Sequence, residues 1–245
     1  MSSPLSKKKP VPSPDMSSKV DIPIILITGF GSFRNVLVNP SWEVAKALKW
    51  YVEWDRPVHI ILHQMPVEYN SVNTKIPEYW LKYNPTLVIH LGVSPGAKEI
   101  RLEKYAHNTN YAALDNLNTI PENKCCICDA PEEICSQLPL ENVCAFVKRK
   151  SSLPIAVSDD AGRYLCEFIY YQSLYIDSKR CVFIHVPCLD ENKFTTEHLA
   201  ETIQQVVYEL LRHVEPLPVL NSNGQYGKQH NTTKIINTKP VTLKS

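Results

Sequence analysis

The sequence lacks the features that define several common functional classes. It has no apolar run approaching the roughly 20 residues that a membrane-spanning helix needs. Its charges nearly balance, with 26 Lys and Arg against 25 Asp and Glu, so it has no basic excess of the kind that marks a nucleic-acid-binding surface. We therefore expect a protein that neither spans a membrane nor binds nucleic acid.

Glycine is scarce, at 7 residues of 245, and the phosphate-binding loops that depend on glycine are incomplete. The loop after the apolar run 22–28 has Phe33 and Arg34 where a dinucleotide-binding loop needs its third glycine, and no Walker lysine follows. These absences predict that the protein takes no nucleotide cofactor. A nucleotide-binding regulatory protein that uses the Gly29 loop is the disfavoured alternative.

Cysteine is present at 8 residues, too few for a disulfide scaffold in a chain of this length. The segment Cys125–Cys128 resembles half of a zinc knuckle, but no second ligand pair has a compatible spacing, so we expect free thiols in a surface insertion and no metal. The basic N-terminal stretch is not followed by the apolar segment of a secretory signal. A reducing, cytoplasmic location is therefore expected.

Short apolar runs alternate with amphipathic segments along the chain. The apolar runs that predict buried strands are residues 22–28, 58–62, 86–91, 155–157 and 181–187. The segments that predict helices are residues 40–50, 68–83, 132–150 and 195–213. This alternation predicts an α/β fold, a three-layer α/β/α sandwich with a mostly parallel mixed sheet.

Domain organisation follows from composition at the two ends of the chain. Residues 1–20 and 218–245 are polar and are predicted to be a disordered N-terminal tail and a flexible C-terminal tail. Between them, residues 21–217 are predicted to form a single α/β domain. The sequence contains no internal repeat.

The strongest chemical signal is the stretch 158–175, SDDAGRYLCEFIYYQSLY, with the apolar run 181–187 that follows it. Acceptor side chains at residues 158–160 predict the N-cap and first turn of a helix, and Gly162 predicts a close backbone approach. Cys166 is then expected in the first turns of this helix, where the free amides and the helix dipole favour a thiolate. His185, near the end of the next strand, is the candidate base for Cys166.

Other polar residues in apolar surroundings are less decisive. His90 lies inside an apolar run, which favours a core histidine over a ligand. Glu103 stands between apolar residues, where its pattern alone favours a surface charge. Phe30 and Phe33 follow a predicted strand, and they suit a flat apolar pocket and a core plug equally well.

A set of sequence blocks resembles the pyroglutamyl-peptidase I family, in the family's order from Ile24 to about Leu211. The blocks are ITGFGSF, VNPSWEVAKAL, MPVEY, VIHLGVS, LEKYAHN, LDN, SDDAGRYLC and FIHVP. The resemblance is to the animal cytosolic members. It implies a cysteine exopeptidase on an α/β/α sandwich that removes N-terminal pyroglutamate from peptides through an acyl-enzyme, without a cofactor.

Block by block, the resemblance implies a catalytic triad and a substrate pocket. The triad residues are the nucleophile Cys166, the imidazole His185 and the carboxylate Glu103. The pocket residues are Phe30, Phe33, Tyr164 and Leu165.

The chain also departs from the bacterial members of the family. They carry an arginine after the LExxxxN block, implicated near the oxyanion, whereas the nearest residues here are Ala112 and Ala113. The cysteine-rich segment around residues 122–135 is another difference. Neither difference touches the triad. A catalytically weak relative that binds pyroglutamyl peptides is the alternative function, which the intact triad disfavours, and the expected state is a monomer or a weak homo-oligomer.

Overall fold

The computed structural model of the chain describes residues 22–34, 36–51 and 58–214, with the backbone alone for residues 49–51. The predicted tails, residues 1–20 and 218–245, lie outside the described residues. The boundaries of the predicted domain therefore stay predictions.

Strands and helices alternate along most of the described chain. The strands are β1 (Ile24–Phe30), β2 (His59–Met65), β3 (Leu87–Val93), β4 (Ile100–Glu103), β5 (Tyr105–His107), β6 (Glu133–Cys135), β7 (Ile155–Ser158) and β8 (Cys181–Val186). The α-helices are α1 (Pro40–Tyr51), α2 (Tyr69–Tyr83), α3 (Leu140–Lys148), α4 (Leu165–Asp177) and α5 (Thr196–Val214).

A sheet of six strands, in the order β2-β1-β3-β8-β4-β7, forms the middle layer. Neighbouring strands run parallel except for β4, which is antiparallel to β8. Strands β5 and β6 form a separate antiparallel pair. The predicted α/β fold with a mostly parallel mixed sheet is confirmed.

The two faces of the sheet are covered by different helices. One core cluster joins alternate strand residues to α1, α3 and α5, and the other joins the opposite strand residues to α2 and α4. Side chains alternate across a strand, so His185 shares a face with Phe183, which packs in the cluster of α2 and α4. Helix α4 and His185 therefore lie on the same side of the sheet.

The prediction of one helix over residues 132–150 is wrong. Strand β6 occupies Glu133–Cys135, and α3 begins only at Leu140, after Pro139. Residues of β6 pair with β5, so this distant partner determines the local conformation there. Within the described residues, no helix is both long and apolar enough to cross a membrane.

Candidate active site

Cys166 is the second residue of α4, as the sequence predicts, but the predicted N-cap is wrong. The residue that caps α4 is Tyr164, not one of residues 158–160. The Asp160 carboxylate instead accepts hydrogen bonds from the Gly162 amide at 3.0 Å and from the Arg163 guanidinium at 2.7 Å. These bonds hold a turn, so the helix starts after the turn.

Two glycines shape the surroundings of Cys166 in different ways. Gly162 has a φ of +79°, and a Cβ there would meet nothing within 4 Å. Its contribution is therefore the left-handed conformation and not the close approach that the sequence suggests. At Gly92, on β3, a Cβ would lie 2.8 Å from the Cys166 sulfur and 2.5 Å from the Phe183 ring. Gly92 therefore leaves the space that the sulfur occupies.

His185 and Glu103 meet because β4 runs against β8. His185 pairs in register with Arg101, and Glu103 pairs with Phe183, further into the sheet. The His185 Nδ1–H donates to Glu103 Oε1 at 2.7 Å. This bond fixes the ring orientation and leaves Nε2 as the nitrogen available to a neighbouring group.

The Glu103 side chain is fully buried, contrary to the surface position that its residue pattern favours. Glu103 Oε2 has no hydrogen-bond partner among the described residues. Within the described part of the chain, the carboxylate therefore hydrogen-bonds through Oε1, to His185. Tyr170, on α4, donates to the Glu103 backbone oxygen at 2.7 Å and connects this strand to the helix of Cys166.

His185 is 6 % exposed, and its protonation depends on both neighbours. Burial alone lowers the pKa of an imidazole, but the charge and hydrogen bonding of Cys166, together with the Glu103 carboxylate, outweigh it and raise the pKa of His185 to about 9. A thiol, an imidazole and a carboxylate therefore interact in sequence, and the imidazole is held in its charged form at neutral pH.

Cys166 and His185 line a cleft with a volume of about 420 Å³. All four predicted pocket residues also line this cleft: Phe30, Phe33, Tyr164 and Leu165. Phe30 and Leu165 are almost fully buried at its apolar end, with Val67 beside them. The volume and the apolar wall suit a small molecule or the terminal residue of a chain.

The Phe30–Phe33 loop is fixed by the helix that follows it. Asn39 caps α1 by accepting a hydrogen bond from the Ser41 amide at 3.1 Å. Its Nδ2 donates to the Gly31 backbone oxygen at 2.9 Å. One side chain therefore begins the helix and restrains the loop that carries both phenylalanines.

The cysteine-rich segment lies against the back of α4. The sulfurs of Cys125 and Cys128 are 3.4 Å apart, and the Cys126 thiol donates to the Phe168 backbone oxygen. The Asn108 side chain accepts hydrogen bonds from the Cys126 and Ile127 amides and restrains the turn. These contacts attach the segment to the helix that carries Cys166.

An ionic cluster that the sequence pattern did not predict lies next to Cys166. The fully buried Glu167 carboxylate accepts hydrogen bonds from Arg163 at 3.0 Å and from His107 Nδ1 at 2.8 Å. Burial raises the pKa of Glu167, and His107 and Arg163 oppose that shift. His107, Asp160 and Glu167 offer possible metal-ligand atoms within 4.8 Å of one another. However, the Arg163 guanidinium already bonds to both carboxylates and supplies the positive charge there. The i, i+4 spacing of Arg163 and Glu167 in the sequence could have predicted this ion pair.

A Cys–His–Glu arrangement in a cleft of an α/β sandwich is typical of the cysteine hydrolases. The family model described as Pyroglutamyl peptidase matches residues 24–212. The chain is 38% identical over 192 residues to human pyroglutamyl-peptidase 1, an alignment that covers 78% of this chain and 91% of the human protein. The chain belongs to the pyroglutamyl peptidase family.

Solved structures support the same relationship. A pyrrolidone carboxyl peptidase from Fervidobacterium islandicum is similar at 29% identity with a TM-score of 0.67, covering 77% of this chain and 98% of that one. Pyroglutamyl peptidase I from Bacillus amyloliquefaciens has a TM-score of 0.70 at 24% identity, covering 80% of this chain and 100% of that one, and shares the fold.

Proposed function

We propose that this protein is a cysteine exopeptidase that removes pyroglutamate from the N-terminus of peptides. The observation that carries the proposal is the chain of contacts from Cys166 through His185 to the buried Glu103, at the wall of an apolar cleft. Family membership supports the same substrate class, because the relatives are named as pyroglutamyl or pyrrolidone-carboxylate peptidases.

At neutral pH the proton of the Cys166 thiol is already held by His185, which leaves a thiolate beside the imidazolium. The thiolate attacks the carbonyl carbon through which pyroglutamate is joined to the next residue, and His185 then protonates the departing amine. Water, deprotonated by His185, hydrolyses the resulting thioester and releases pyroglutamate. Glu103 stays ionised, orients the ring and stabilises the imidazolium.

The start of α4 supplies the oxyanion site in this mechanism. The first amides of a helix have no intrahelical acceptor, and here they lie beside the sulfur. The Tyr164 side chain does not cap them, because its hydroxyl donates to the Leu114 backbone oxygen. These amides are therefore the donors for the tetrahedral oxyanion.

Specificity for pyroglutamate follows from the apolar end of the cleft. The lactam ring carries no ammonium group, so it enters between Phe30 and Phe33 without the desolvation cost of a charged N-terminus. Leu165 closes the end of the cleft, and Tyr164 borders the ring from the helix side. A free N-terminal residue is rejected by the same surfaces.

The experiment that tests the proposal uses a fluorogenic pyroglutamyl amide. The Cys166→Ala variant should lose turnover entirely while keeping the wild-type circular dichroism spectrum and unfolding midpoint, and iodoacetamide should inactivate the wild type. The exposed Cys128, substituted as Cys128→Ser, provides the matched thiol control. Turnover near wild type in Cys166→Ala would overturn the assignment, and a wild type that binds the amide without turnover would favour the catalytically weak relative.

The remaining features of the proposal are its setting and organisation. We infer one peptidase domain over residues 21–217, supported by the family match across residues 24–212. The free cysteines of the described chain and the need for a reduced nucleophile support a cytoplasmic location. The balanced net charge of +1 supports peptides rather than nucleic acid as partners, with the protein acting as a monomer or a weak homo-oligomer.

A further inference from the structure

The cleft has two chemically different ends. The buried end is formed by apolar side chains, among them Phe30 and Leu165, which are 3 % and 1 % exposed. The open end carries Arg34, which is exposed, and Arg101, whose side chain is 39 % exposed. In an exopeptidase the terminal residue fills the closed end, so the rest of the peptide extends toward the solvent-exposed part of the cleft, to which the two arginines belong.

Arg34 is held at the mouth of the cleft without a carboxylate partner among the described residues. Its guanidinium lies 5.4 Å from the centre of the Tyr164 ring, an arrangement in which a cation stacks on an aromatic face. Its backbone has a φ of +46°, a left-handed conformation that turns the chain just after Phe33. The guanidinium also hydrogen-bonds to the Tyr164 hydroxyl. A guanidinium has five N–H donors, so others are left for a ligand.

Arg101 lines the same cleft from strand β4. It pairs in register with His185, and the alternation along β4 places its side chain on the same sheet face as Glu103. Its ion pair with Glu99 is loose, with 3.7 Å between Nε and Oε1 and both side chains 39 % exposed. Such a pair is weak in water and yields readily to a better-placed carboxylate.

The other charges of this region are already neutralised. Asp160 also lines the cleft, but its carboxylate bonds to Arg163 at 2.7 Å. Arg163 in turn bonds to the buried Glu167. The mouth therefore presents two cations whose charge is not compensated by a close ion pair within the described chain.

We propose that Arg34 and Arg101 form a carboxylate-binding subsite for the residue that follows pyroglutamate, so that the enzyme selects peptides with an acidic group there. The proposal rests on the proposed function. The carboxylate belongs to an Asp or Glu side chain at the second position or to the free C-terminus of a dipeptide. Guanidinium groups suit both sources because they bind a carboxylate through two parallel hydrogen bonds.

The test compares three C-terminally amidated peptides, pyroglutamyl-Glu-Ala, pyroglutamyl-Gln-Ala and pyroglutamyl-Lys-Ala, which differ in one side-chain charge. We expect kcat/KM for the Glu peptide to exceed that for the Gln peptide by about tenfold at low ionic strength, with the Lys peptide poorest. The Glu to Gln ratio should fall toward one in 0.5 M NaCl. Pyroglutamyl-alanine as the free acid and as the amide provides the arm for a C-terminal carboxylate.

Variants assign the preference to the two arginines. The double substitution Arg34→Gln/Arg101→Gln should bring the Glu to Gln ratio to about one, with each single variant between. Arg149→Gln changes an exposed arginine at the C-terminal end of α3, which does not line the cleft, and it should leave the ratio unchanged. A Glu to Gln ratio near one in the wild type, or an unchanged ratio in the double variant, overturns the proposal.

A binding measurement separates this proposal from the proposed function. Titration calorimetry of the Cys166→Ala variant with the same amidated peptides reports the charge preference without turnover. Tighter binding of the Glu peptide supports the subsite, and equal binding of the Glu and Gln peptides overturns it. If the wild type cleaves the Gln peptide without an acidic preference, the subsite fails and the peptidase function stands.

Discussion

Two buried histidines on neighbouring strands have opposite chemistry. His90 on β3 and His185 on β8 lie in adjacent apolar strands, with His90 opposite Phe183 and Gly92 opposite His185. Their exposed fractions are 0 % and 6 %. Burial lowers the pKa of His90 to about 3, whereas the pKa of His185 is raised to about 9.

The partners of each ring account for the difference. His90 hydrogen-bonds to the hydroxyls of Thr28 at 2.7 Å and Ser173 at 2.8 Å, which adapt to a neutral ring. His185 faces the Cys166 sulfur and the Glu103 carboxylate, whose negative charges both stabilise a positive ring. Burial is therefore common to both histidines, and the ionisable partner determines which one can move protons at neutral pH.

The largest expected effect comes from making His185 resemble His90. Glu103→Gln keeps the side-chain size but removes the charge that stabilises the imidazolium. We expect kcat/KM for a pyroglutamyl amide to fall by about 10³–10⁴-fold, the scale seen when the acid of a catalytic triad becomes an amide. NMR titration should show the pKa of His185 lowered from about 9.

The matched control is Glu141→Gln, which removes an exposed carboxylate that pairs with Lys104. It should leave kcat/KM within about twofold, because a surface ion pair contributes little. Activity of Glu103→Gln within tenfold of wild type would contradict the assigned role of the carboxylate.

The next effect is on the pH dependence of activity. The imidazolium of His185 protonates the leaving amine, so kcat/KM should decline above about pH 9, by up to tenfold for each further pH unit. In Glu103→Gln the decline should begin at lower pH. A wild-type profile that stays flat to pH 10.5 would show that the group with a pKa of about 9 is not required.

Stability should respond to pH in opposite directions at the two histidines. The folded pKa of His185 is above the unfolded value of about 6.5, so its contribution is complete below pH 6.5 and is lost as the pH rises through about 9. The folded pKa of His90 is below that value, so the neutral ring contributes to the stability of the folded protein above pH 6.5. That contribution is lost as the pH falls from 6.5 toward 3. Urea unfolding should show the wild-type advantage over Glu103→Gln shrinking above pH 9.

Local patterns predicted the parts of the molecule that depend on local interactions. The apolar runs located the core strands, and the amphipathic segment 40–50 located α1. His185 was predicted to be the base for Cys166 because it lies near the end of the next strand, and the sites of α/β sheets lie at the ends of their strands.

Long-range pairing explains what the sequence alone left open. The direction of β4 cannot be deduced from its four residues, yet its antiparallel pairing with β8 places Glu103 behind His185. The residue pattern of Glu103 favoured the surface, and only the family resemblance indicated a functional role. The bond from His107 to Glu167 likewise joins residues 60 positions apart.

The smallest effect is expected at His90, where the partners are hydroxyls. Ser173 accepts a hydrogen bond from Trp80 Nε1 at 2.9 Å and also bonds to His90 Nε2. Ser173→Ala leaves these two buried groups without that partner, so we expect a loss of about 1–3 kcal/mol in the free energy of unfolding. The kcat/KM for a pyroglutamyl amide should stay within about twofold of wild type, because His90 does not line the cleft. Urea unfolding and steady-state assays measure both quantities. A large loss of activity at unchanged stability would mean that the neutral histidine also takes part in the chemistry, and the contrast between the two rings would then fail.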